Sequence, residues 1–411
     1  MKQSKITFLA SVGSGLEYYD LVIYSLLASF ISQQFFPSTN HVTALFATFG
    51  IFALGYVVRP LGGIIFGIIG DRLGRKKVFA NTLLWMALAT FLMGLIPSFS
   101  TWGLVATILF STCRIIQGLV FGAELPGALT LLAEHIDAKQ HGLHFGWMLA
   151  TVGLGVSLGS GVTWLLTKTL TETQILAWGF RIPFLLGGGL ALLGFYIRKH
   201  LPETPEFLNL QKSNTKLTLA VVKNHLGQIF NVIGILLFPA SLVTLQLIFP
   251  VYLHDFYHHS FADIYLAMTL GYIWSAVMIP LFGWASDFAG RKTFIIIAAL
   301  IMIIFIFPIF SFLPIESRLV PFGFVMFWQT VIAIMTASYF VLLPQAFQTI
   351  IRYTGTAFSY NIAYTLAALL PLIVNYIYGI RKNPYYLVWI FILLATLTIV
   401  NTLVLKTNKH R

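Results

Sequence analysis

Three observations predict an all-α integral membrane protein, with twelve transmembrane helices in two pseudo-symmetric six-helix bundles. Only 9% of the 411 residues are charged and 58% are hydrophobic, against about 25% charged in an ordinary soluble domain; mean hydropathy is +0.86. Apolar runs recur at about 20 residues, the length of helix that crosses a hydrocarbon core and satisfies its own backbone there, where strands of about 10 residues would not fit. An apolar helix ending in Gly-x-x-x-Asp-x-x-Gly-Arg-Lys also occurs twice, half a chain apart, at Gly67–Lys76 and Gly283–Lys292.

The expected spans of the first half are 6–32, 43–69, 78–96, 102–133, 143–167 and 179–198. Those of the second half are 227–253, 262–284, 293–313, 319–348, 354–379 and 384–405. Arg198–His225 is the longest polar stretch and carries Pro202, Pro205 and scattered lysines. It divides the chain into an N-terminal bundle over 1–198, a cytoplasmic linker over 199–226 and a C-terminal bundle over 227–411.

The net charge of +12 raises the question of nucleic acid, and its distribution answers it. Lys2, Lys5, the Arg72–Lys77 cluster, Lys139, five residues between Arg198 and Lys223, Arg291, Lys292, Arg352 and the Lys406–Arg411 tail fall in alternate loops. The other loops hold Lys168, Arg318, Arg381 and Lys382. That asymmetry is the positive-inside pattern. It puts both termini in the cytoplasm and makes the lipid bilayer, with no nucleic acid, the partner that accounts for the basic balance. Phe8–Phe30 lacks a small-residue cleavage site and reads as an uncleaved first helix. The single cysteine, Cys113, excludes an intrachain disulfide and reads as a small buried apolar residue.

In the first span Gly13, Glu17, Asp20 and Tyr24 lie within an arc of about 60° at 100° per residue. A charge in the middle of a bilayer costs at least about 2.5–3.5 kcal/mol, so these carboxylates point into a bundle, either as transport groups or as static ion pairs. The second span carries Arg59, Pro60 and the close-packing spacing Gly63-x-x-x-Gly67, with Gly62 beside it. The fourth holds Arg114, Gln117 and Glu124 on one half-face, Arg114 about 13 residues or ~20 Å from the outer end. Arg114 opposite Glu17 or Asp20, and Arg59 with Glu124, are the expected buried pairs. Arginine stays charged, so any proton taken up sits on a carboxylate. This makes Glu17, Asp20, Arg114, Glu124 and Arg59 the proton-coupling candidates.

The fifth span has Gly153, Gly155 and Gly159, with Trp147 and Thr151 one turn apart. The spans of the second half carry no acidic residue in their interiors. Their polar candidates are Trp328, Gln329, Tyr339, Tyr360, Asn361 and Tyr364. Substrate-binding candidates overall are Tyr19, Tyr24, Gln117, Trp147, Trp328, Tyr360, Asn361 and Tyr364. The two arginines suit a carboxylate and the tyrosines suit a quaternary ammonium, so a zwitterion such as proline or betaine is favoured, with organic acids next.

Gly67-x-x-x-Asp71-Arg72-x-Gly74-Arg75-Lys76-Lys77 resembles the loop 2–3 signature of the major facilitator superfamily, and Gly283–Lys292 its second-half copy. Gly15-Leu-Glu17-Tyr-Tyr-Asp20, Arg59-Pro-Leu-Gly-Gly63, Arg114-Ile-Ile-Gln117-Gly118 and Gly122-Ala-Glu124 resemble its metabolite:proton symporter family. So do Trp178-Gly-Phe-Arg181, Glu203-Thr-Pro205 and Arg352-Tyr-Thr-Gly355 with Tyr360-Asn361. The family includes proline/betaine, α-ketoglutarate, citrate and shikimate transporters. The resemblance implies the major facilitator fold, a central site near the midplane and alternating access, in a monomer of the prokaryotic inner membrane without cofactor or metal, whose partners are protons and a small-molecule substrate. It also implies gating by Gly67, Asp71, Arg72, Arg75, Glu134, Asp287 and Arg291. Asp71 would dock at the helix start near Thr354–Gly355 of the other half, and Arg75 would pair with Glu134.

Three departures stand out: His141-Gly142 where the family has arginine before the glycine, Gln345 where it has an acid, and Ala367-Ala368 in place of a glycine pair. The sequence stops six residues after the last span, so regulation through a C-terminal coiled coil is not expected. Two rival readings remain. Uniport or proton antiport keeps the fold, although Gly153–Gly161 lacks the antiporter proline. A membrane-embedded metal enzyme would use His254-x-x-x-His258-His259 as one histidine box; the blander reading is a titrating loop cluster.

Overall fold

The computed structural model describes residues 3–36, 48, 50–51, 54–212, 224–246, 249, 252–253, 257–370 and 385–405. Expectations for 43–47, for 213–223 of the linker, for His254, for 371–379 and for the Lys406–Arg411 tail lie outside the described residues. Helices dominate and no strand occurs among the described residues.

Two compact units result. One comprises Met1–Glu134 and Thr151–Thr215, the other His135–Ala150 and Lys216–Arg411. In unit 1 the helices are α1 (Gln3–Leu26), α2 (Ala28–Phe35), α3 (Arg59–Leu73), α4 (Arg75–Leu95), α5 (Leu104–His135), α6 (His141–Thr169, whose start belongs to unit 2), α7 (Arg181–Lys199) and α8 (Pro205–Lys212). Unit 2 contains α9 (Leu226–Leu245), α10 (Phe261–Ala289), α11 (Arg291–Phe312), α12 (Leu319–Gln345), α13 (Arg352–Ala367) and α14 (Tyr385–Val404). Ten helices among the described residues are long and apolar enough to cross a bilayer. Neither α1, with two interior carboxylates, nor α13, with 16 described residues, is among the ten. The stretch read as a linker opens with a helix, α8.

Glycines set the tightest contacts of unit 1. Gly62 lies on the backbone of Leu119, Gly118 on that of Gly55, and Gly122 on that of Arg59. No Cβ fits at these points, so α3 and α5 approach backbone to backbone, as small residues allow in a bilayer. That proximity brings Arg59 and Arg114 to one region. At 1.5 Å per residue, the 32 residues of α5 span about 48 Å, well beyond a hydrocarbon core of about 30 Å. Glu134 and Arg114, 20 residues or about 30 Å apart along α5, therefore lie at well-separated depths.

Candidate functional site

A chain of hydrogen bonds crosses the interior of unit 1. Thr90 of α4 donates to Asp20 Oδ2 at 2.7 Å, Gln117 Nε2 donates to Thr90 Oγ1 at 2.7 Å, and Arg114 Nη1 donates to Gln117 Oε1 at 3.1 Å. All four side chains are buried. The expected direct Arg114–carboxylate pair is thus replaced by a relay through an amide and a hydroxyl. The Arg114 guanidinium lies over Tyr24 at 4.4 Å, and Arg59 lies over Tyr56 at 3.5 Å and Phe121 at 4.0 Å. Aromatic faces stabilise these cations in place of water. Asp20, Arg59, Arg114 and Gln117 line a cavity of about 10 Å³ with Leu21, Gly55, Met86, Gly118 and Phe121, about the space that one water needs.

A second buried group lies one turn along α1. Glu17 and Glu124 are both fully buried. Glu124 pairs with Arg198 of α7 and not with Arg59, which corrects the expected pairing: Arg59 is held by its two rings, whereas Arg198 reaches Glu124 across Gly13. Arg198 also donates to the Phe79 carbonyl at 3.1 Å and stacks on its ring at 3.7 Å.

At the α3–α4 corner Arg75 is fully buried, 3.1 Å from Asp71 and 3.3 Å from Glu134. Glu203 Oε1 accepts the first two amides of α4, from Arg75 at 3.0 Å and Lys76 at 3.2 Å. It supplies the N-terminal cap that Gly74 cannot. Thr204 donates to Glu134. Gly67 is buried in α3 and Arg72 is exposed.

The α10–α11 corner of unit 2 repeats the pattern with Asp287 and Arg291 3.0 Å apart. Asp287 also accepts first-turn amides of α6, from Gly142 at 2.8 Å and Leu143 at 3.1 Å, where the helix dipole favours an anion. Arg291 donates to Gln345 Oε1 at 3.2 Å, and Gln345 Nε2 lies 2.8 Å from His141 Nδ1.

Tyr339, Tyr360 and Tyr364 lie together in unit 2. Tyr339 and Tyr364 hydroxyls are 3.0 Å apart, and the Tyr360 and Tyr364 rings are 4.3 Å apart. Asn361 is buried beside them and donates to the Ala357 carbonyl at 2.7 Å. Other candidates are engaged elsewhere. Trp328 donates to the Leu242 carbonyl at 3.0 Å inside an aromatic cluster with Phe249, Phe324 and Phe391, a packing role. Tyr19 donates to the Pro183 carbonyl at 3.0 Å, tying α1 to α7, and Tyr24 to the Thr48 carbonyl at 3.1 Å. Trp147 is 57% exposed.

Sequence reasoning missed Thr90, Arg198 and a role for Glu203. Arg198 sits in the last turn of its helix and read as one of the orienting loop cations. The one available signal was Gly13, a glycine on the acidic face of α1 that leaves room for a large partner.

The Major Facilitator Superfamily description matches residues 7–371. The glycine betaine/proline/ectoine/pipecolic acid transporter OusA of Dickeya dadantii is 30% identical over 417 residues, covering 98% of this chain and 83% of the relative. The shikimate transporter of Escherichia coli is 31% identical over 369 residues, covering 85% and 82%. A solved structure of the proton:xylose symporter XylE bound to 6-bromo-6-deoxy-D-glucose matches with a TM-score of 0.78 at 17% identity, covering 98% of this chain and 94% of that one, a likeness of fold. With the motif present at both corners and the match spanning most of its length, the chain belongs to the Major Facilitator Superfamily and is a membrane transporter, not an enzyme.

Proposed function

We propose that this chain takes up a small polar metabolite together with protons by alternating access, as a monomer in the prokaryotic inner membrane with both termini in the cytoplasm. The observation that carries the reading is the buried Asp20–Thr90–Gln117–Arg114 chain beside a small cavity in unit 1. Isolated charges are too costly to keep in a bilayer without use or pairing. Here a carboxylate and a permanent cation are linked through two neutral groups, an arrangement that can respond both to a proton and to a polar solute. Glu17, Asp20, Glu124, Arg59 and Arg114 are assigned to coupling. Gly67, Asp71, Arg72, Arg75, Glu134, Asp287 and Arg291 are assigned to gating.

The cargo we favour is a zwitterion. Arginines of unit 1 suit a carboxylate, and the Tyr339–Tyr360–Tyr364 group of unit 2 suits an ammonium. Proline and betaine, named for one relative, carry both groups, and organic acids such as shikimate, named for another, carry the first. A thermal-shift screen of the purified protein against osmolytes, amino acids and organic acids selects the solute. Accumulation in proteoliposomes under an imposed pH gradient then tests the coupling. Uptake that follows the gradient and collapses with a protonophore is expected; accumulation indifferent to the protonophore overturns symport.

A further inference from the structure

Among the buried carboxylates of unit 1, Glu17, Asp20 and Glu124 are not equivalent. Asp20 receives the Thr90 hydroxyl and Glu124 receives Arg198. Glu17 is 0% exposed, and neither of its oxygens has a hydrogen-bond partner among the described residues. The charged groups acting on it are Glu124 on α5, Arg198 on α7, Arg59 on α3 and Asp20 on its own helix. An ionised carboxylate in this position would be desolvated with no donor to replace water, which costs far more than folding tolerates. The same position suits a neutral carboxylic acid.

Arg198 is bound on one side only. Its Nη1 serves Glu124 and the Phe79 carbonyl. Its Nε and Nη2 have no partner among the described residues, and they are the atoms that press against Gly13, one helical turn from Glu17. A glycine there lets the vacant edge of the guanidinium lie against α1.

We propose that Glu17 carries the coupling proton and that Arg198 is the counter-ion it shares with Glu124, an assignment that rests on the symport reading above. In the state described, Glu17 holds the proton and Arg198 serves Glu124. On release, the Glu17 O–H bond breaks, the proton passes to water, and the Nε–H and Nη2–H edge of Arg198 donates to the new carboxylate. No other bond changes. One permanent cation is then shared by two carboxylates, so the cluster passes from neutral to a single net negative charge on proton release.

The test is a pH-jump infrared difference experiment on the full chain in lipid nanodiscs, which needs no solute. Wild type is expected to show the carbonyl band of a protonated carboxyl that disappears as pH rises. Glu17→Gln is expected to lose that band; Asp20→Asn and Glu124→Gln are expected to keep it. Glu17→Asp retains the acid and should shift the band, which covers the case in which the glutamine variant fails to fold. A band that survives Glu17→Gln, or vanishes in Asp20→Asn, overturns the proposal. Proline or betaine transport that ignores a pH gradient, alongside an intact Glu17 band, overturns symport and leaves the proton site in place.

Discussion

At the α3–α4 corner of unit 1, Asp71 holds Arg75 at 3.1 Å, and at the α10–α11 corner of unit 2, Asp287 holds Arg291 at 3.0 Å. Each turn is made by a glycine at positive φ, Gly74 at 115° and Gly290 at 91°. The next partner differs. Arg75 meets the carboxylate of Glu134 at the end of α5; Arg291 meets the neutral amide of Gln345 at the end of α12. Arg75 is wholly buried, whereas the Arg291 side chain is 17% exposed. The two halves have kept one backbone device and loaded it differently: an ion pair extended to a second carboxylate in unit 1, an ion pair extended through a neutral amide to a histidine in unit 2.

If that contrast is correct, removing the arginine should hurt unit 1 far more. Arg75→Ala leaves Asp71 and Glu134 buried without their cation, and breaking a buried pair in this way costs about 3–5 kcal/mol. A large drop in melting temperature in detergent is expected, with a much smaller one for Arg291→Ala. Equal drops would erase the comparison.

The glycines separate the corners more finely. Both positive φ values cost an L-residue about 1–2 kcal/mol. A Cβ on Gly290 meets only Thr293 Oγ1 at 3.6 Å, while one on Gly74 collides with the Glu203 carboxylate. Gly74→Ala should therefore also disturb the cap on Arg75 and Lys76, adding about 1–3 kcal/mol for the donors left unmade. Thermal melts of the two variants are expected to differ by roughly that increment. A Gly290→Ala variant as damaged as Gly74→Ala would show that backbone strain alone matters.

Most of the helical architecture was legible because the bilayer makes it so: a helix long enough to cross it must be apolar over about 20 residues, and the doubled motif marks the two corners. Burial of Glu17 and Asp20 on one face was legible for the same reason. Partner choice was not. Arg59 and Arg198 have the same side chain, and only the packing of Tyr56 and Phe121 around the first and of Gly13 against the second decides which meets Glu124. Glu203 lies 128 residues from the Arg75 amide it accepts, and no local periodicity reports a cap delivered from so far. Trp328 and Tyr360 look alike in an apolar span; the Leu242 carbonyl, within reach of the Trp328 indole N–H, turns the first into a packing residue.

The smallest expected effect concerns the two departures from the family pattern, which touch each other. His141 Nε2 lies 2.9 Å from the Ile136 carbonyl and its Nδ1 2.8 Å from Gln345 Nε2. A carbonyl only accepts, so Nε2 carries the proton and Nδ1 accepts from the amide, which leaves Gln345 Oε1 for Arg291. This bond pattern requires a neutral imidazole. Protonation would turn Nδ1 into a donor facing a donor and add a cation near Arg291 and Arg352, with only Asp137 opposing it among the charges acting on the ring. Flipping the amide to rescue His141 would forfeit the bond to Arg291. The unit 2 corner should accordingly weaken as pH falls through the histidine range, seen as a melting temperature a few degrees lower in mild acid. Gln345→Glu gives both Arg291 and a protonated His141 an acceptor, so that variant is expected to lose the acid sensitivity and resemble the unit 1 corner. An acid response unchanged in Gln345→Glu would place the sensitivity elsewhere and leave the unit 2 corner without a titrating role.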